Sequence, residues 1–298
     1  MENARDLGLR CVVQGADILG EVPLWCERTG RLWWTDVRRP AIQSWEPATG
    51  RHRALRMHAD MGSGSIALRE AGGLLLATAT GLYTFEPDSG QAPRRIADPI
   101  QGAPGMRLND GKADRRGRFW VGSMHDTDRS RTGVLFRVEP DGQVTAMLDG
   151  FVLPNAICWS PDDRTMYFAD THNQLIWAFD YDLDEGRISR RRVFKDWTHQ
   201  VGRPDGATVD AEGYLWNCMV ASGQLIRLAP DGEVDRVIQL PVTHPTCPAF
   251  GGPGLDTLYI TSHSQRLTPQ QLAEEPYAGA LLALDVGMRG LPEPRFAG

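Results

Sequence analysis

Four polar positions stand out in a sequence otherwise made of strands and turns. Glu21 lies between apolar neighbours in Leu19-Gly20-Glu21-Val22-Pro23-Leu24-Trp25. Asn109 sits in Arg107-Leu108-Asn109-Asp110-Gly111-Lys112-Ala113-Asp114, Asn155 in Leu153-Pro154-Asn155-Ala156-Ile157-Cys158-Trp159, and Asp205 in Arg203-Pro204-Asp205-Gly206. Two carboxylates and an amide oxygen are hard donors, suited to Ca²⁺, Mg²⁺, Mn²⁺ or Zn²⁺ with water completing the shell. Each position also has a plain reading. Asp-Gly and Asn-Asp-Gly are ordinary turn formers. Asn155 alone reads as a backbone-capping amide, and Glu21 alone as a buried ion-pair partner.

Spacing ties the four together. Each falls about 10 to 12 residues ahead of a recurring unit: a polar turn, then an apolar or aromatic run, then small residues. The units are Gly30–Asp36, Gly72–Ala77, Gly117–Gly122, Arg164–Asp170, Gly213–Cys218 and Asp256–Thr261, and their first apolar residues stand 42, 45, 47, 49 and 43 residues apart. A period of that length is one four-stranded propeller blade. A second phrase follows each unit, alternating apolar and polar residues and often closing on Pro-Asp-Gly, as in Leu135–Gly142 and Leu225–Gly232. Such alternation reads as a strand entering a hairpin.

The expected fold is therefore all-β, a six-bladed β-propeller with four antiparallel strands per blade, occupying residues 1–298 as one domain. Leu9–Val13 is a lone strand ahead of the first unit, expected to complete the last blade and remove an open edge. Thr268–Glu275 is the one helical segment, opening on an N-cap threonine followed by Pro269. Equivalent spacing puts the four polar positions at equivalent heights in their blades, so they can converge at the mouth of the channel.

Composition narrows the rest. Gly 32 and Pro 20 suit a fold with many tight turns, and a net charge of −6 argues against a nucleic-acid partner. The Arg190-Arg191-Arg192 run reads as a solvated strand edge. No apolar stretch approaches the roughly 18 residues of a membrane span. The polar, charged start of the chain does not read as a signal peptide. Five scattered cysteines without a Cys-x-x-Cys pair read as reduced thiols, and a cytoplasmic location is expected.

The series Gly20-Glu21-x-Pro-x-Trp25, Arg107-x-Asn109-Asp-Gly-Lys-x-Asp114, Pro154-Asn155-x4-Ser-Pro-Asp162 and Pro204-Asp205-Gly-x3-Asp-x-Glu-Gly-x-Leu-Trp216 closely resembles the senescence marker protein/regucalcin/gluconolactonase family, over about Leu19 to Leu284. The resemblance implies a six-bladed propeller with one divalent metal ion and lactonase activity on sugar-derived lactones. It places the metal ligands on Glu21, Asn155 and Asp205, with Asp205 doubling as general base. It places substrate contacts on Arg107 and Asn109. The Ser123–Asp128 segment resembles the part that shapes the sugar pocket, so His125 and Asp126 join the substrate-binding candidates; His125 could instead simply bond its own loop. One departure is Val22, where the family usually carries Gly. A β-branched residue disfavours positive φ, so the backbone at Val22 is expected to avoid it.

The function so implied is hydrolysis of an aldonolactone, the metal (Ca, Zn, Mn, Mg or Fe) polarising the carbonyl while Asp205 takes a proton from water. The expected partner is a small-molecule sugar lactone, with neither nucleic acid nor membrane, and the chain a monomer or weak homo-oligomer. Rival readings are a non-catalytic calcium- or ligand-binding propeller, an esterase or phosphotriesterase on the same scaffold, and a protein-interaction propeller.

Overall fold

The computed structural model describes residues 1–15 and 17–298 and consists of six antiparallel sheets, each a blade of a β-propeller. The inner strands are Gly20–Cys26, Ser63–Leu68, Met106–Ala113, Pro154–Trp159, Arg203–Val209 and Pro245–Gly251. The second strands, Arg31–Asp36, Leu74–Thr78, Phe119–His125, Thr165–Asp170, Leu215–Val220 and Thr257–Ser262, are the recurring apolar units of the sequence. The third strands carry the alternating phrase, as in Gly133–Val138 and Gln224–Leu228.

Burial explains why the second strand is the legible one. The apolar residues form six clusters, each shared by two neighbouring blades. Second strands lie between two such layers and are apolar almost throughout. Outer strands face water on one side and alternate, as Arg51–Arg56 does. The ring closes as expected. Arg10–Val13 pairs antiparallel with Leu281–Leu284 as the outer strand of the sixth blade, and Glu2–Asn3 adds a short parallel strand to the fifth. The Arg190–Arg192 run lies on the exposed fourth strand of the fourth blade, with Arg190 and Arg192 paired to Asp180.

The helix spans Pro269–Glu274, with Thr268 and Gln271 forming a reciprocal capping box. Among the described residues no helix is long and apolar enough to cross a membrane. The C-terminal segment runs across the face where the inner strands end. Gly290 bridges Asp210, Phe296 is fully buried and bridges Arg69, and Ala297 donates to the Gly117 carbonyl. Between these anchors Glu293 meets Lys112 at 3.4 Å. The channel is thereby closed at that end, and access is from the face where the inner strands begin.

Candidate functional site

All six inner strands break register with their second strand near their start, at Glu21/Leu24, Ser63/Ser65, Leu108/Gly111, Asn155/Cys158, Pro204/Ala207 and Pro245/Pro248. A bulge bends the strand and re-aims the side chain beside it. Glu21, Asn109, Asn155 and Asp205 all sit at these breaks, and all four line one pocket of about 340 Å³ at the open end of the channel. That size suits a small ligand.

The bulges have a conformational cost that differs from the sequence-based expectation for Val22. Val22 adopts φ 49° and Ala156, the residue after Asn155, φ 55°. Both bulges require a left-handed residue, and burial of Val22 with Leu24, Ile66 and Leu76 offsets the strain. At the fifth blade the break is glycine for a different reason. A Cβ on Gly206 would stand 2.5 Å from the Cys247 sulfur, so this bulge packs directly on that of the sixth blade.

Hydrogen bonds orient the site. The Asn155 Nδ2 donates to the Thr171 hydroxyl (2.7 Å), which donates to the Pro204 carbonyl (2.6 Å). This leaves Oδ1 facing the pocket, where Asn109 Nδ2 approaches at 3.1 Å. Asn109 also donates to the Pro154 carbonyl and accepts from Arg107 Nη1 at 2.6 Å. Arg107 Nε donates to Asp126 (2.6 Å), and Asp126 takes both Nη atoms of Arg38 (2.5 and 2.7 Å). Burial alone would raise the Asp126 carboxyl, but the hydrogen bond from Arg38 and the charge of Arg107 hold it at about 2. His125 does not line this pocket. Its ring lies against Gly105, and its Nδ1 accepts from the Asp128 amide at 3.1 Å.

The carboxylates at the floor are treated differently. Among the described residues, Glu21 and Asp205 each accept from no donor but the backbone amide of the following residue. Burial first, then the charges of Asp205 and Asp110, push the Glu21 carboxyl well above the ordinary range. Burial and then Asp110 do the same to Asp205. Asp110 itself, held by the Ile157 amide at 3.0 Å, is raised by burial. The nearby cations are Arg107, already engaged by Asp126, and Lys112, engaged by Glu293. Buried carboxylates this short of positive charge are costly without a cation. Among the described residues no three His, Cys, Asp or Glu side chains are arranged to hold a metal, so a cation here draws on the Asn155 amide oxygen. Glu21, Asp205 and that oxygen are a hard-donor set that fits a divalent ion.

Several residues in or behind the pocket carry no signal in the sequence. Asn217, fully buried on the second strand of the fifth blade, donates to the carbonyls of Asp205 and Gly206 (3.0 Å each) and fixes that bulge. His244 and His263 stack at 4.4 Å on the sixth-blade side. Burial, then the neighbouring His244, lowers His263 to about 3, so it is neutral, and its Nδ1 has no partner among the described residues. The five cysteines are unpaired, and burial pushes Cys158 up to about 12. That thiol is no nucleophile.

Fold and site together define a propeller with an oxygen-lined pocket at the open end of its channel. Residues 19–264 match the SMP-30/Gluconolactonase/LRE-like region family, and the chain belongs to that family. It is 35% identical over 291 residues to a 6-deoxy-6-sulfogluconolactonase of Pseudomonas putida, covering 97% of this chain and 99% of the relative. It is 31% identical to the regucalcin of Xenopus laevis, over 97% and 98% of the two chains. The crystal structure of a calcium-binding regucalcin from Agrobacterium tumefaciens superposes with a TM-score of 0.92 at 28% identity, covering 96% of each chain.

Proposed function

We propose that the protein is a lactonase that opens a sugar-derived lactone with the help of one divalent cation. The observation that carries this is the pair of Glu21, half-buried, and Asp205, buried, at the floor of a polar pocket with one backbone donor each, beside the Asn155 oxygen. The 6-deoxy-6-sulfogluconolactonase relative supports the lactone, and the calcium-binding neighbour supports the cation.

Glu21, Asn155 and Asp205 would hold the ion. When bound, it supplies a Lewis acid that stabilises charge developing on the lactone carbonyl oxygen. Asp205 accepts a proton from water as the water oxygen bonds to the carbonyl carbon. The acyl C–O bond then breaks, and the ring oxygen leaves as the hydroxyl, taking that proton. Arg107 and Asn109 hold substrate oxygens in place, and Asp126 with Arg38 fixes the angle of the Arg107 guanidinium. Asn155 stays in register through Thr171.

Acid release from a panel of aldonolactones, followed by pH-stat with and without chelator, tests the reading. Chelator-sensitive, metal-restored hydrolysis is expected. Cation binding without hydrolysis of any lactone would favour a calcium-binding propeller, the reading the Agrobacterium neighbour supports.

A further inference from the structure

Arginines in this protein are mostly spoken for. Arg107 and Arg38 share Asp126, Arg118 is paired with Asp114, and Arg227 meets three carboxylates. Three arginines lining the pocket are exceptions: Arg266 on the sixth-blade side, and the pair Arg129 and Arg203. Arg129 and Arg203 have no carboxylate, carbonyl or aromatic partner among the described residues, yet both face the same cavity as Glu21 and Asp205. Three consecutive blades bring them together with a histidine. Arg129 comes from the loop between Phe119–His125 and Gly133–Val138, and His172 from the loop between Thr165–Asp170 and Leu175–Asp182. Arg203 opens the inner strand of the fifth blade.

The carboxylates nearby do not neutralise this wall. Asp170 is occupied by the backbone amides of Val152, Leu153 and His172 and by the Asn173 amide. Asp128 accepts from the Ser130 amide and faces His125. The positive charge is felt locally. Burial first, then Arg129 and Arg203, lowers His172. Two unpaired guanidiniums converging on a pocket gain most from a ligand that brings its own negative charge, because each can bind an oxyanion through two N–H groups.

We propose that Arg129, Arg203 and His172 form an anion subsite, and that the lactone opened here carries a sulfonate, phosphate or carboxylate on the end remote from its carbonyl. This rests on the lactonase reading above. The floor of the pocket would take the carbonyl end and this wall the charged end of one small molecule.

The test compares kcat/KM of the metal-loaded enzyme for gluconolactone with that for its 6-sulfo, 6-phospho and 6-carboxylate counterparts. At least one charged lactone should exceed the neutral one about tenfold or more, and which one does identifies the anion. Arg129→Gln/Arg203→Gln should bring that ratio close to one, mainly through KM, and Arg129→Lys/Arg203→Lys should restore part of it. Arg266→Gln, an exposed pocket arginine on the sixth-blade side, should leave most of the ratio. A ratio near one in the wild type, or one that survives the double Gln substitution, overturns the subsite. So does an equal loss in Arg266→Gln. If no lactone is opened at all, the lactonase reading falls. Calorimetric binding of 6-phosphogluconate against gluconate, in wild type and double variant, then decides the subsite by the same ratio.

Discussion

Asp205 and Asp210 stand at opposite ends of one inner strand, and the fold treats them in opposite ways. Asp210 accepts from the amides of Glu212 and Tyr214 (3.0 Å each), the Trp216 indole (2.9 Å) and the Arg227 guanidinium (2.9 Å). Asp205 accepts from one backbone amide and lies in the field of Asp110. The third blade repeats the contrast. Asp114 takes the amides of Arg116 and Arg118, the Arg118 guanidinium, the Trp120 indole and the Tyr181 hydroxyl. Asp110 takes two amides. Saturation by donors marks a carboxylate that holds a turn and a neighbouring Trp. Buried carboxylates left short of donors mark the place where something else is to bind.

The sharpest way to break the contrast is to make the same substitution at both ends. Asp205→Asn should lower kcat for lactone hydrolysis by about 10²–10⁴ and leave the melting temperature unchanged or higher, because it removes a buried charge that nothing in the apo protein pairs. Asp210→Asn should do the reverse. It weakens the Arg227 pair and the turn, at a cost of roughly 3 kcal/mol, or about 6–12 °C in melting temperature, with turnover of the folded fraction retained. A stable, inactive Asp210→Asn beside an unstable, active Asp205→Asn would invert the reading.

The two classes also respond differently to pH. A carboxyl whose folded value is raised keeps its proton longer in the native state than in the unfolded chain. The metal-free fold therefore loses stability as pH rises from the ordinary carboxylate value near 4 through the raised values of Glu21 and Asp205. Asp126 has the opposite sign. Its contribution is present above its unfolded value and is lost as pH falls toward its folded value of about 2. A divalent cation held as proposed would bind the ionised pair, so its stabilising effect should grow with pH. Melting temperatures from pH 4 to 8, in chelator and in added Ca²⁺ or Zn²⁺, check this. A metal-free profile parallel to that of Glu21→Gln/Asp205→Asn would remove the basis for a cation at this floor.

Much of the fold was legible because the second strand of each blade lies between two apolar layers and writes its burial into the sequence. Inner strands were harder, since their small and polar residues vary with what each bulge must aim. Shared spacing ahead of the second strand brought out Glu21, Asn109, Asn155 and Asp205, and the structure gathers all four in one pocket. Resemblance alone suggested which would ligate. Asp110 was quoted within a motif but given no role, because only the folded ring puts it in the field of Glu21 and Asp205. Thr171, Asn217, Arg129, Arg203 and the His244–His263 stack come from loops and strands of different blades, and no local pattern announces such contacts. Val22 was misjudged for a related reason. Intrinsic preference spoke against positive φ, and the tertiary demand of the bulge overrode it.

Val22 and Ala156 offer the finest comparison, two bulges with nearly the same left-handed φ but different side chains. Replacing either with glycine relieves strain of about 1 kcal/mol and adds unfolded-state entropy of similar size. For Ala156→Gly little else is lost, so stability should move by less than about 1 kcal/mol. Val22→Gly also gives up an isopropyl group packed between the first and second blades, worth roughly 1.5–3 kcal/mol when buried. That variant should be destabilised by about 1–3 kcal/mol in urea unfolding, although glycine suits the backbone better. The difference between the two measures what the buried side chain contributes to holding Glu21 at its bulge. If Val22→Gly proved more stable than the parent, strain would outweigh packing at that bulge, and the offset argued for Val22 would fail.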